Sequence, residues 1–171
     1  LGLSIPVSCP ESYAVKWLND NKESLSLKLN RIRSALPQKK PFQTGTNRLS
    51  YRSDFCIVKS PIKKVTGYIR SGNYIIHIPD PADPAIHSDE ISSIVKEFLR
   101  LELNEILEAK LKNFAEKFKF SYKSYRVSSA RTRWGSCSGR NTLSFSCYLA
   151  RLPEEIIDYV ILHELCHTVH H

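Results

Sequence analysis

No apolar run in this chain approaches the roughly 18 residues that a helix needs to cross a bilayer, so a membrane-spanning role is not expected. The opening stretch, Leu1 to Pro10, lacks the basic-then-apolar layout of a secretory signal. Because the chain starts at Leu1 and not at Met, Leu1 reads as an internal residue of something longer. Cysteine is sparse and scattered: Cys9, Cys56, Cys137, Cys147 and Cys166 are an odd set of 5 with no Cys-x-x-Cys. That excludes a dense disulfide framework and points to reduced thiols and a cytoplasmic protein. Cys137 and Cys147 match no zinc-knuckle spacing and read as a hairpin pair. A Gly-rich phosphate loop and a carboxylate cluster for Mg²⁺ are both missing.

What is present is ordinary globular material. Apolar residues make up 42% and charged residues 25%, with no low-complexity stretch. At 171 residues the chain is long enough for one domain that buries roughly 70% of its unfolded surface. The net charge of +8 lies entirely in the first part of the chain. Residues 1–64 hold twelve Lys and Arg against four acids, and residues 65–171 hold thirteen of each. This reads as a solvated basic face; a nucleic-acid partner is weakly supported, because no aromatic residues interleave with the charge.

Pro10 and Glu11 suit the first turn of a helix whose stripe of Leu18, Leu25, Leu29, Ile32 and Leu36 ends at Pro37. After a polar loop, Leu49–Val58, Lys64–Arg70 and Tyr74–Ile78 have strand composition. Ser71-Gly72-Asn73 turns between the last two, and the whole reads as a small antiparallel meander. A long amphipathic helix is expected from Ser88 to Lys119, its core face carrying Ile91, Val95, Leu99, Leu103, Ile106, Leu111, Phe114 and Phe118. Tyr122–Val127 and Thr142–Cys147 then read as a hairpin, with Leu143, Phe145 and Cys147 on one side. Pro153 opens a last helix that is apolar nearly all round and is therefore expected to be buried centrally.

That helix leads into His163-Glu164-Leu165-Cys166-His167-Thr168-Val169-His170-His171, which contains the pattern His-Glu-x-x-His. Residues four apart on a helix stand about 40° apart around it and about 6 Å along it, so both imidazoles can reach one ion. His163 and His167 are thus candidate Zn²⁺ ligands, with Glu164 on the same turn as general base. Two histidines do not fill a zinc shell. His170 shares the face of His163, but about 10.5 Å of helix rise separates them, and no Gly or Pro breaks the helix after His167.

The segments Arg133-Trp134-Gly135-Ser136-Cys137, Leu143-Ser144-Phe145-Ser146, Leu149, Pro153, Asp158-Tyr159-Val160 and His163-Glu164-Leu165-Cys166-His167 resemble the YgjP-like metallopeptidase family, zincins related to the SprT-like group. The resemblance is specific from about Val127 to Thr168. It implies His163 and His167 as metal ligands and Glu164 as the catalytic carboxylate. The family's third ligand is a histidine farther along, so the resemblance implies a ligand beyond His171 and a C-terminal end cut short. Ser144 and Ser146 depart from the family, in which Asn is common near this hairpin. Arg133, Trp134 and Ser136 are candidate substrate contacts, on an edge that can pair with an extended peptide. A core role for Trp134 is the equal alternative.

The expected fold is α+β and zincin-like, a small antiparallel or mixed sheet packed with a long helix and a buried His-Glu-x-x-His helix. Residues 1–83 form a basic N-terminal helix and meander integral to the same fold, and residues 84–171 form the metallopeptidase-like core. The expected function is zinc-dependent hydrolysis of a peptide or protein substrate by a metal-activated water. Two other readings stay open: a metal-dependent nucleotide phosphohydrolase, and a nucleic-acid- or protein-binding module with a vestigial metal site.

Overall fold

The computed structural model describes residues 41–169, which belong to one compact unit. The expected N-terminal helix and the His170–His171 pair lie outside the described residues. Among the described residues two helices and two small mixed sheets make an α+β fold. Among the described residues no helix is long and apolar enough to cross a membrane.

The first sheet contains β1 (Gly45–Arg48), β2 (Asp54–Ser60), β3 (Thr66–Arg70) and β4 (Asn73–Pro79) in the order β1-β2-β4-β3. It is not the antiparallel meander expected, because β2 and β4 run parallel. Burial explains the order. Every residue of β3 is exposed, as suits an edge, whereas Ile76 and Ile78 of β4 are fully buried beside Phe55 and Ile57 of β2. The turn between β3 and β4 forms as expected, with Ser71 at φ 49° and Gly72 at φ 77°, the left-handed pair that a two-residue hairpin requires.

The single strand expected over Leu49–Val58 is interrupted. Ser50 Oγ accepts hydrogen bonds from the backbone N–H of Arg52 and of Ser53, both at 3.0 Å, and so folds Leu49–Ser53 into a turn. Local side-chain bonding of this kind competes with strand pairing, and it outweighed the β-rich composition here.

Helix α1 (Ser88–Phe118) is 31 residues long, or about 46 Å at 1.5 Å per residue. Its buried stripe matches the expected one from Ile91 to Leu111, but Phe114 is only half-buried and Phe118 is 46% exposed. The core ends about two turns early because the chain turns away there: Lys119 takes φ 58° and caps the helix through its N–H to Ala115 O. Along its length α1 touches β4, the second sheet and the second helix. Phe98 packs on Tyr74 with ring centroids 5.0 Å apart. Burial there, with Glu102 and Glu105 nearby, pushes the Tyr74 hydroxyl up to about 12.

One acid interrupts the apolar stripe. Glu102 is 6% exposed and its carboxylate accepts from Ser50 Oγ at 2.7 Å and Ser53 Oγ at 2.8 Å. The same serines that break the strand therefore satisfy a buried charge and fasten the first sheet to α1.

The second sheet contains β5 (Ser124–Ser128), β6 (Gly135–Cys137) and β7 (Thr142–Ser146) in the order β5-β7-β6. The expected hairpin of Tyr122–Val127 with Thr142–Cys147 is corrected: β5 and β7 are parallel, and the antiparallel partner of β7 is β6. Gly-Ser-Cys has weak strand composition, so β6 is a strand only because β7 pairs with it. Leu143, Phe145 and Cys147 are buried as expected. Cys137 pairs across with Leu143, not with Cys147, and both thiols are free.

A 3-10 turn (Cys147–Arg151) leads through Pro153 to helix α2 (Glu154–Cys166). This helix is not buried all round. Ile157, Val160, Ile161, Glu164 and Leu165 face the core, whereas Ile156 is 45% and Tyr159 66% exposed. Packing against α1 and β6 covers one face only, and Lys110 of α1 ties that face down through Glu154 at 2.7 Å and Asp158 at 2.6 Å.

The Glu102 carboxylate is expected to support the join between the first sheet and α1. Glu102→Ala strands two hydroxyls and lowers the unfolding free energy by about 2 to 4 kcal/mol, and Glu102→Gln, which keeps an acceptor, costs less. Urea denaturation measures both; a loss below about 0.5 kcal/mol for the alanine variant contradicts the assignment.

Candidate metal centre

The two histidines of the motif lie on the exposed face of α2, and the glutamate lies on its buried face. His163 and His167 turn their Nε2 atoms toward each other at 3.2 Å, with the rings edge to face and centroids 4.8 Å apart. Neighbouring ligands of a tetrahedral zinc shell with bonds of about 2.0 to 2.1 Å stand about 3.3 Å apart, so this pair fits such a metal. Imidazole nitrogen is also an ordinary zinc donor.

Tyr159 extends the ladder one turn back. Its ring stacks on His163 at 6.0 Å between centroids with 28° between planes. The last helix was expected to be apolar and buried nearly all round, yet Tyr159 is 66% exposed beside the candidate ligand His163. The signal was available, since Tyr159, His163 and His167 are spaced by four.

The helix stops at Cys166, although no Gly or Pro follows. Thr168 N donates to Leu165 O at 3.0 Å and Val169 N to Cys166 O at 3.1 Å, a tightened last turn. Asn141, from the turn between β6 and β7, donates its Nδ2 hydrogen to Thr168 O at 3.2 Å and takes up a terminal carbonyl. The continuation of α2 expected past His167 is therefore corrected: residues 167–169 form turns, and Asn141 binds the Thr168 carbonyl. Among the described residues no group of three or more His, Cys, Asp and Glu forms that could hold an ion. The candidate third ligand lies outside the described residues.

Glu164 is 6% exposed and lies in the seam between α2 and β6. A Cβ added to Gly135 would stand 2.5 Å from Glu164 Oε1, 2.6 Å from its Cγ and 2.8 Å from its Cδ. Any larger residue at this position forces the Glu164 side chain to shift. Burial raises the Glu164 pKa, and the two nearby imidazoles oppose the shift. Across the same seam burial, and then Glu164, raises the Cys137 thiol. A carboxylate raised toward neutrality is a stronger base once ionised, as proton abstraction from water needs.

The candidate substrate residues separate into two places. Trp134 is 46% exposed and lines an apolar groove of about 380 Å³ with Ala130, Arg131 and Tyr148, so it does not fill the core. Arg133 and Ser136 line a different cleft, of about 450 Å³, on the other face of the second sheet from Glu164. Strand alternation separates them, since Gly135 faces the helix and Ser136 faces away. His77 bonds to Ser60 and Tyr68, and His87 pairs with Glu90, so neither joins the centre.

An α+β domain whose His-Glu-x-x-His helix packs under a sheet-edge strand has the arrangement of a zincin-like domain. A family model for the YgjP-like metallopeptidase domain matches residues 1–171, the whole chain, and the chain belongs to that family. Membership supports a metal-dependent peptidase at the level of the family. Searches of curated proteins and of solved structures give no match.

Gly135→Ala is expected to lower stability by about 1 to 3 kcal/mol through overpacking. In a Glu164→Ala background most of that loss disappears, a coupling of about 0.5 to 3 kcal/mol in a double-mutant cycle. Additive losses in thermal or urea unfolding contradict the contact.

Proposed function

We propose that this chain is a zinc-dependent metallopeptidase that cleaves a peptide or protein substrate with Glu164 as general base. The observation that carries the reading is the division of one helix turn: two imidazoles paired at 3.2 Å on its open face, and a carboxylate held in the adjoining seam beneath an edge strand. Zinc held by His163, His167 and a further ligand supplies Lewis acidity to the hydrolytic water and the scissile carbonyl.

The protein's own groups do the rest. The Nε2 atoms of His163 and His167 would hold the ion, and Tyr159 stacked on His163 holds that ring in place. The Glu164 carboxylate takes the proton of the attacking water and passes it to the leaving amine nitrogen. The seam excludes bulk water from one side of that carboxylate, which keeps its basicity high.

Strand β6 supplies the substrate edge. Ser146 N donates to Trp134 O and Ser138 N to Thr142 O, so Trp134, Ser136 and Ser138 use their backbone groups toward β7. Gly135 and Cys137 therefore direct theirs to the open side, where an extended peptide can add as a further strand. A reducing, cytoplasmic setting accords with the free thiols of Cys56, Cys137, Cys147 and Cys166.

Glu164→Gln is expected to retain zinc while hydrolysis of a quenched-fluorescent peptide mixture falls by about 10² to 10⁴. His163→Ala and His167→Ala are expected to lose both zinc, by atomic absorption, and activity. Unchanged hydrolysis in Glu164→Gln sinks the general-base role, and cleavage of nucleoside triphosphates alone transfers the chain to the phosphohydrolase class.

A further inference from the structure

The outer face of the second sheet carries a polar cleft that the catalytic reading does not use. Register sets Arg126 of β5, Ser144 of β7 and Ser136 of β6 side by side in one row across the sheet. Ser128 and Ser146 form the next row. Together with Arg133 these side chains line the cleft of about 450 Å³, and no carboxylate lines it.

Its groups differ in how far they are already engaged. Ser146 Oγ donates to Ala130 O at 2.6 Å, and Ser128 Oγ donates to Phe145 O at 3.3 Å. Among the described residues, by contrast, Arg126 and Arg133 make no ion pair. The Ser136 and Ser144 hydroxyls likewise make no side-chain hydrogen bond with them. Among the described residues the other arginines divide: Arg48 pairs with Asp54 and Arg52 with Glu154, whereas Arg70 and Arg140, like Arg126 and Arg133, make no ion pair. Two arginines and two serines with donors to spare thus line one open space, and those donors are the recognition chemistry of a carboxylate.

The open edge of β6 says where that carboxylate comes from. Residues opposite each other on adjacent strands share a face and stand about 4.5 to 5.5 Å apart at Cβ. In a peptide paired with Gly135 and Cys137, the residue opposite Ser136 therefore projects onto the cleft side. Its immediate neighbour, opposite Gly135, projects toward Glu164. We infer that the cleft of Arg126, Arg133, Ser136 and Ser144 is a specificity subsite for an acidic side chain, Asp or Glu, of an extended peptide bound along β6. The inference rests on the metallopeptidase reading for its peptide and on the cleft alone for its charge.

The test uses two fluorescein-labelled blocked peptides of β-forming sequence that differ only in one central Glu or Gln. Binding to the full chain bearing Glu164→Gln is followed by fluorescence polarisation, with inorganic phosphate as competitor. The Glu peptide is expected to bind roughly tenfold or more tightly than the Gln peptide, the worth of one charge-assisted pair. In the Arg126→Ala/Arg133→Ala variant the ratio returns to near one, while the thermal unfolding midpoint of this surface double variant stays the same.

Equal affinities, no binding of either peptide, or a preference that survives the double variant each overturn the inference. So does arginine-dependent binding of phosphate without a Glu preference, which assigns the cleft to a phosphoryl group. Hydrolysis by the unsubstituted chain is read separately. A Glu preference without hydrolysis leaves the subsite in place and removes only the catalytic reading; hydrolysis without a Glu preference removes only the subsite.

Discussion

The contact between the Glu164 carboxylate and the bare backbone of Gly135 is the constraint on which the rest of the centre depends. An acid in a seam between a helix and a strand is costly unless its position serves something. The missing Cβ lets β6 approach α2 closely enough to hold the carboxylate in a largely dry place. Two properties then follow from one small residue: a carboxylate with raised pKa and a close helix-to-strand spacing.

A larger frame makes that seam possible. Helix α1 carries the first sheet near its start and the second sheet and α2 farther along, so one 31-residue element sets the positions of everything else. Two ionic arrangements keep it in register. Glu102 receives two serine hydroxyls from the first sheet, and Lys110 reaches Glu154 and Asp158 on α2. The Lys110–carboxylate contacts are partly exposed and screened, so they orient more than they stabilise. The apolar stripe from Ile91 to Leu111 supplies most of the free energy of the join.

Much of this was readable from residue order. Long-helix bounds came out within one residue at Phe118, because nine turns of 3.6-residue periodicity leave little ambiguity. The closeness of His163 and His167 was readable because spacing of four on a helix is a local geometric fact. Other features were not. Ser50 reads as a strand residue until its hydroxyl is seen to bind the backbone, and Glu102 reads as solvated until its two serines arrive from far away in the chain. Phe118, placed on the core face by its spacing, and Tyr159, on a helix apolar nearly all round, are both exposed.

By itself, then, the amino-acid sequence determined the α+β class, the long helix, the β3–β4 turn, the His163–His167 pair and the family. Each of these is encoded over a few neighbouring residues by periodicity, backbone preference or motif spacing. Tertiary structure alone decided which strands are neighbours, that β5 and β7 run parallel, and that Asn141 binds the Thr168 carbonyl beyond α2. It also set Gly135 against Glu164, and gathered Arg126 and Arg133 with the sheet's serines into one cleft. These relations join residues distant along the chain, and strand pairing obeys the packing of whole faces, which no local window of sequence contains.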